Sequence, residues 1–303
     1  MNASKPLEPK RHWSRIIPRT RLVVMLALVV GVVWIGSRMH RARLNRDRVA
    51  AAHQAVAEIE NLGGEVTAAY EERRPQTWLE ERFDDPGGAD DPVGVLQVSH
   101  VDCSRTDITD ADLEHLKGMT TLRSLRIGSL NLGHRRKKNI TDAGMEHLKG
   151  LTNLKELTLG TTKLTDAGLV HLKGLTNLES LDLDFTYVTG TGLEHLKGLT
   201  KLESLDLGYS NVIDAGLEQL KELTALKYLN LSGTNITDTG LEHLNGLTNL
   251  TLLFLADSDL SDAGLKHLSR LTRLERLDLS YTYVTVAGVR KLQQELPNCK
   301  IEY

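Results

Sequence analysis

At 303 residues the chain has room for one large domain or two ordinary ones, and with 7 Tyr, 3 Phe and 3 Trp its core must be mostly aliphatic. The formal net charge of −3 is unevenly spread: residues 1–60 carry eleven Lys/Arg against four Asp/Glu, about +7, which leaves about −10 for the rest. An acidic folded region argues against nucleic acid as its partner. Two cysteines, Cys103 and Cys299, without C-x-x-C or zinc-type spacing, argue against a redox or metal centre.

Residues 1–21 form a basic tail, and an uncharged apolar run follows from Leu22 to Ser37. As a helix, residues 22–37 reach ~24 Å against ~30 Å of hydrocarbon. Arg21 and Arg38 can snorkel, and Ile16 and Ile17 extend the apolar reach. The expectation is an uncleaved signal-anchor helix in a lipid membrane. A cleavable signal peptide is the rival, opposed by the 21-residue lead and by arginines at 38, 41, 43, 46 and 48, where a small neutral cleavage site belongs. Six basic residues before the run against five after it tip the orientation toward a cytoplasmic tail and an exported repeat region, periplasmic or extracytoplasmic.

Residues 38–94 read as a juxtamembrane helix and a polar lead-in. Val49, Ala52, Val56 and Ile59 recur at spacings of three and four, and Gly63-Gly64 ends the helix as a C-cap pair. The stretch "DDPGGADDP" is a turn. Its aspartates, Asp84, Asp85, Asp90 and Asp91, match no EF-hand spacing and read as solvated.

From residue 95 to 303 the chain repeats itself. Aligned on one position, the units give Asp110, Asp142, Asp166, Gly190, Asp214, Asp238, Asp262 and Val286. Each step is 24 residues except the first, which is 32 and contains an eight-residue insertion. A fixed period of this size is the signature of a solenoid. Within each unit the "L-x-x-L-x-L" portion, as in Leu154, Leu157 and Leu159, is a short strand. The "D-A-G-L-x-H-L-K-G" portion predicts a two-turn helix: Asp166 N-caps it, Leu169 and Leu172 face inward, and Gly174 sits at C′. Gly168 recurs as Gly144, Gly192, Gly216, Gly240, Gly264 and Gly288, although glycine costs a helix about 1 kcal/mol. Close approach of the helix's first turn to the strand layer would explain it. One unit cannot bury its own leucines, so the units must stack. Strands pair at about 4.8 Å while helices need about 8–10 Å, which bends the stack into an α/β horseshoe with its parallel sheet on the concave side. Cys103 and Cys299 fall on inward positions at opposite ends, too far apart to bridge.

The spacing L-x-x-L-x-L-x-x-T/N-x-I/V resembles the leucine-rich-repeat family from about Val95 to Tyr303. The "I-T-D-A-G-L-x-x-L-x-x-L-T-x-L" variant is similar to repeats in uncharacterised bacterial proteins, and also to eukaryotic F-box-associated repeats. "VAGVRKLQQELPNCKIEY" resembles the closing unit of the bacterial sets, and "NLGGEV" and "QTWLEERF" their usual lead-in. No F-box-like segment precedes the repeats, so the ubiquitin-adaptor role is not carried over. Gly190 and Val286, in the Asp position, put two helix starts in doubt. The resemblance specifies a fold and says little of function.

No catalytic signature is present: no G-x-S-x-G, H-E-x-x-H, G-x-x-x-x-G-K or G-x-G-x-x-G. His115, His147, His171, His195, His243 and His267 form a ladder on the outer helices. Their spacing of about 8–10 Å is too wide for shared metal ligation, and no metal or cofactor is expected.

The inner face is more informative. Its positions give Asp182, Asp184, Phe185 and Tyr187; then Asp206 and Tyr209; then Tyr228 and Asn230; then Phe254, Asp257 and Asp259; then Arg276, Asp278, Tyr281 and Tyr283. Seven of the ten Phe and Tyr residues lie there. Aromatics gathered with carboxylates on a concave face form a binding surface for a cationic or amphipathic protein segment. The bland alternative is that "L-D-L" is a common strand word and Tyr favours strands. The inserted loop, His134, Arg135, Arg136, Lys137 and Lys138, is a possible basic contact for anionic lipid or an acidic partner, or else an ordinary solvated loop. The expected protein is a membrane-anchored, non-enzymatic binding scaffold. Two readings stand beside it: a structural envelope component with no discrete ligand, and a hydrolase using the concave carboxylates.

Overall fold

The computed structural model describes Asp47, residues 50–72, 94–128 and 138–303. The chain divides into two compact units, residues 1–50 and 51–303. The expected anchor at 22–37, the aspartate-rich turn and basic residues 134–137 lie outside the described residues. Among the described residues no helix is long and apolar enough to cross a membrane.

The second unit starts with a helix through residue 61. Ala52, Ala55 and Val56 pack against the core and Ile59 is buried in it, as the three-and-four spacing predicts. The helix stops where Gly63 turns left-handed, at φ +85°, and the Gly64 N–H reaches back to the Ile59 carbonyl at 2.9 Å.

A ten-stranded sheet then runs in sequence order. Its members are β1 (Glu65–Glu72), β2 (Gly94–Asp102), β3 (Ser124–Arg126), β4 (Glu156–Thr158), β5 (Ser180–Asp182), β6 (Ser204–Asp206), β7 (Tyr228–Asn230), β8 (Leu252–Phe254), β9 (Arg276–Asp278) and β10 (Lys300–Glu302). The sequence pattern does not assign β1, which pairs antiparallel with β2 and covers the sheet's first edge. All later pairs are parallel and advance without slippage, so Leu125, Leu157, Leu181, Leu205, Leu229, Leu253, Leu277 and Ile301 stand in one column. The leucines of that column are at most 1 % exposed. They join one continuous core, which includes Cys103 and Cys299 as free, buried thiols. Each unit closes with a hydroxyl that is buried in all but the last, Thr282, which is half-buried. Thr162, Thr186, Ser210, Thr234, Ser258 and Thr282 each donate to the Leu carbonyl three residues back, at 2.5–2.7 Å. Buried polar atoms are thereby satisfied where the chain leaves each strand.

The helical segments differ from expectation in three ways. They are shorter: most are a single α turn, such as Asp166–Leu169, or a 3-10 turn, such as Gly192–Leu196, and among the described repeats only Val286–Glu295 reaches ten residues. A 24-residue period leaves no length for more, because Leu172, Leu175 and Leu178 must already chain back to the strand through successive turns of 2.9 Å bonds. Gly174 is consequently not a left-handed cap: of the glycines at that position, only Gly118 has positive φ, +87°.

The N-cap is Thr165, whose hydroxyl accepts from the Ala167 N–H at 3.3 Å, rather than Asp166. The aspartate does something else. Asp142 accepts from the N–H and hydroxyl of Thr165, one repeat later, at 2.8 and 2.6 Å. The same clamp links Asp110 to Thr141, Asp166 to Thr189, Asp214 to Thr237, Asp238 to Ser261 and Asp262 to Thr285. It also explains the recurrent glycine. A Cβ on Gly192 would collide with the Asp166 carboxylate and lie 2.9 Å from its Cα, so the close approach is to the preceding repeat's aspartate, not to the strand layer. Both departures then make sense. Val286 offers no carboxylate for a clamp, while Thr285 still caps its helix. Gly190 faces Ile213, where the clamped Thr would stand, and the Gly190 and Gly216 backbones touch instead. The helix after Ile213 forms without a side-chain cap.

Candidate binding face

Alternation along each strand buries the leucine and turns its two neighbours outward, so the register sets two columns on the strand face. One column runs Thr158, Asp182, Asp206, Asn230, Phe254, Asp278 and Glu302; the other contains Ser180, Ser204, Tyr228, Leu252 and Arg276. Successive residues of a column are one strand spacing apart, which brings side chains from adjacent repeats into contact.

The first contact group is polar. Asp206 accepts from Asn230 Nδ2 at 2.9 and 3.1 Å, from the Tyr228 hydroxyl at 3.1 Å and from the Gly208 N–H at 2.9 Å. Asp182 accepts from the Asp184 N–H at 3.0 Å. Burial pushes the Asp182 carboxyl up to about 6, with the Asp206 charge adding to the rise. It pushes Asp184 up to about 8, reinforced by the charges of Asp182 and Asp206. Tyr228 is raised by burial first and by Asp206 second. The second group is apolar. The Tyr228 and Phe254 rings lie 5.5 Å apart, and the Arg276 guanidinium sits 5.5 Å above Phe254 while pairing with Glu302 at 2.9 Å.

The third group occupies the turn after each strand. Thr161, Phe185, Tyr209, Asp257 and Tyr281 all have φ between 50° and 60°, and Gly233 holds the equivalent place at 64°. Left-handed backbone is expensive for any residue with a Cβ. Here it is held by the next repeat, whose carbonyls at Asp184, Gly208, Ser232, Ala256 and Ser280 receive the N–H of residues 161, 185, 209, 233 and 257 in turn. The shared backbone stacks the Phe185 and Tyr209 rings at 4.6 Å and 10°. Tyr209 also lies across Gly233, whose missing Cβ leaves room for the ring.

The structure thus gathers Asp182, Asp184, Asp206, Tyr228, Asn230, Phe254 and Arg276 around β5–β9, with Phe185 and Tyr209 at their margin. Asp257 and Tyr281 continue the left-handed turn row, and Asp278 continues the strand column, its carboxylate accepting from the Ser280 N–H at 3.0 Å. Tyr187, Asp259 and Tyr283 lie a step further along the chain, beside the bridges that join Thr189 to Asn211 and Thr237 to Asp259, and so flank the strand face. Tyr281 and Tyr283 are 89 % and 74 % exposed. In the basic loop, Lys138 turns inward and donates to the carbonyls of Cys103 and Thr106 at 2.9 and 2.6 Å. Gly160 and Gly233 were missed by the sequence reading; Gly233 has a signal, glycine where the other repeats carry Thr161, Phe185, Tyr209, Asp257 and Tyr281, whereas Gly160 stands at a position that is also glycine at 128 and 208. Among the described residues no group of His, Cys, Asp and Glu is arranged to hold a metal ion. A cleft of about 310 Å³, between the helices that begin at Asp262 and Val286, includes none of the predicted binding residues.

A family model described as leucine rich repeat matches residues 176–236. The stretch it matches spans β5 to β7, so those repeats are similar to leucine-rich repeats. The fold agrees with a solved internalin C2 of Listeria monocytogenes, 25 % identical, with a TM-score of 0.54, covering 67 % of this chain and 80 % of that one. Also similar are an internalin F of the same organism (22 %, TM-score 0.48, covering 62 % and 63 %) and a leucine-rich-repeat protein of Leptospira interrogans (20 %, TM-score 0.46, covering 64 % and 57 %). No curated protein matches the sequence.

Proposed function

We propose that this leucine-rich-repeat chain is a membrane-anchored, non-catalytic scaffold that binds a cationic or amphipathic protein segment on the strand face from β5 to β9. The observation that carries the reading is the pairing of rigid aromatics with carboxylates: the Phe185–Tyr209 stack and exposed Tyr281 and Tyr283 beside Asp182, Asp206, Asp257 and Asp278. Aromatic anchors supply contact area at small entropic cost, and the carboxylates set the partner's sign and speed its approach. Arg276 over Phe254 displays, within the chain, how a guanidinium sits on this surface. The apolar run at 22–37 supports the anchor, with the repeat domain on the exported side.

The raised pair Asp182 and Asp184 gives the hydrolase alternative its one supporting observation. Against it, Asp184 Oδ1 is buried without a partner, so substrate cannot reach that oxygen. The test is affinity capture with the full chain in detergent, the bound proteins identified by mass spectrometry, set beside Phe185→Ala with Tyr209→Ala. A partner retained by the native chain and lost by the variant supports the scaffold. The same proteins from both would sink the proposed face and return the structural reading to the front.

A further inference from the structure

Asp184 is out of place in its own column. The equivalent residues of the other repeats are Gly128, Gly160, Gly208, Ser232, Ala256 and Ser280, none larger than serine and none charged. Its carboxyl folds back over the preceding repeat, where a Cβ on Gly160 would collide with Asp184 Oδ1 and sit 2.9 Å from Asp182 Oδ1. Two carboxyls therefore converge above a glycine that leaves them room. Asp206, the strand neighbour of Asp182, adds a third on the β6 side.

The surroundings supply no countercharge. From β4 comes Thr158, with Glu156 at the strand's start bonded to Ser124. From β6 and β7 come Asp206 and Tyr228, acid and phenol. The nearby lysines Lys155 and Lys227 pair with Glu179 and Glu203, and Arg126 pairs with Asp102. Among the described residues none of the three aspartates has an ion-pair partner, and Asp184 Oδ1 is buried without a hydrogen bond. Two carboxylates so placed cannot both ionise near neutral pH without repulsion, whereas one protonated carboxyl relieves it.

The cluster also straddles a particular joint. Between the β5 and β6 repeats the Asp–Thr clamp is missing, replaced by the Gly190–Gly216 contact and the Phe185–Tyr209 stack. Every other joint from Asp110 to Thr285 is clamped.

We propose that Asp182, Asp184 and Asp206 form a proton-operated switch on the β4–β6 strand face: protonated, the cluster lets the repeats on either side of β5 pack closely and leaves the face less acidic; ionised, it charges the face for a cationic partner and strains the packing around β5. The consequence for a partner rests on the binding function proposed above; the switch itself does not. The upward displacement of Asp182 to about 6 and Asp184 to about 8 agrees with this arrangement. The sign follows. The folded state holds protons that the unfolded chain has released, so stability falls as pH rises from the ordinary carboxylate range toward about 8.

The experiment is thermal unfolding of the full chain in detergent at intervals from pH 5 to 9, beside Asp184→Asn, with no partner added. The native chain should lose ~5 °C of Tm relative to Asp184→Asn between pH 6 and 9, a difference that shared histidine titrations cannot produce. Parallel curves overturn the proposal. Should Asp184→Asn fail to fold, Asp206→Asn keeps both coupled carboxyls and removes a repelling charge that raises them, so the Tm decline must become shallower and end at lower pH. A decline at the same pH as in the native chain overturns the proposal equally. Neither result depends on whether a partner is captured, so the switch and the binding reading fail separately.

Discussion

Asp142 and Thr165 are 23 residues apart and belong to different repeats, yet the carboxylate takes both the N–H and the hydroxyl of that threonine, at 2.8 and 2.6 Å. Thr165 then uses the same oxygen to cap its own helix at Ala167 N. One side chain thus transmits the start of each helix to the next, and solenoid stability is largely a sum of such nearest-neighbour terms.

Removing a clamp should therefore cost more than removing a surface charge. Asp214→Ala is expected to destabilise by ~1–3 kcal/mol in urea unfolding, the cost of leaving Thr237 donors unsatisfied. Acid should act on the same contact. For Asp166, burial works against ionisation, but the hydroxyls of Thr189 and Thr191 and the Thr189 N–H outweigh it and hold the carboxyl below its usual range. Its contribution is present above the unfolded carboxylate pKa and lost as pH falls through the lower folded value. Asp166→Asn should flatten that acid limb; an unchanged limb would refute the clamp's role.

Restoring the consensus at the unclamped joint should fail. Gly190→Asp with Ile213→Thr recreates the Asp–Thr pair on paper. The new Cβ, however, would meet Gly216 Cα at 2.6 Å and its N at 2.7 Å, both backbone. A loss of ~1–3 kcal/mol is expected from overpacking, and a gain would mean that the repeats can separate freely there.

Two glycine substitutions should have opposite signs. Gly192→Ala gains helix propensity but drives a methyl into Asp166, and should destabilise despite a propensity gain of about 1 kcal/mol. Gly174→Ala meets open space at ordinary φ, and should stabilise by ~0.4–1 kcal/mol through the unfolded chain. Paired chemical denaturation curves decide both.

The period, the leucine columns and the sheet order were legible because each follows from one word repeated at fixed spacing, and hydrophobic register has a single solution when Leu157, Leu181 and Leu205 must coincide. Asp166 was misread as a cap because local rules see only its own helix, while its partner Thr189 lies one repeat away. Gly174 was misread for the complementary reason: the C-cap rule presumes a full helix, and a one-turn segment does not need it. On the face, residue types and columns could be read, since outward positions alternate with leucine. The left-handed turn that stacks Phe185 on Tyr209 could not, because Phe and Tyr give no local hint of positive φ.

The thiols should be silent in the native chain. Burial raises Cys103 and Cys299 to about 11, and both are nearly inaccessible. Alkylation at pH 8 is expected to modify neither until denaturant is added, then both. Rapid labelling of Cys299 in the native chain would show that the last repeat opens readily.

The last prediction concerns strain. Tyr281 holds φ +60° with its side chain 89 % exposed, so it bears the cost of left-handed backbone while gaining little from packing. Tyr281→Asn should stabilise the chain by ~0.5–1 kcal/mol, because asparagine tolerates that region and no buried contact is lost. Phe185→Asn should not, since the same backbone relief is offset by losing the stack on Tyr209 at 4.6 Å. If the turn row is a binding edge, Tyr281→Asn should also weaken partner capture while raising Tm. Strain of this kind persists at sites where it positions a contact. A Tyr281→Asn chain that is more stable and captures as well as the native one would remove Tyr281 from the binding face, leaving its strain without a functional account.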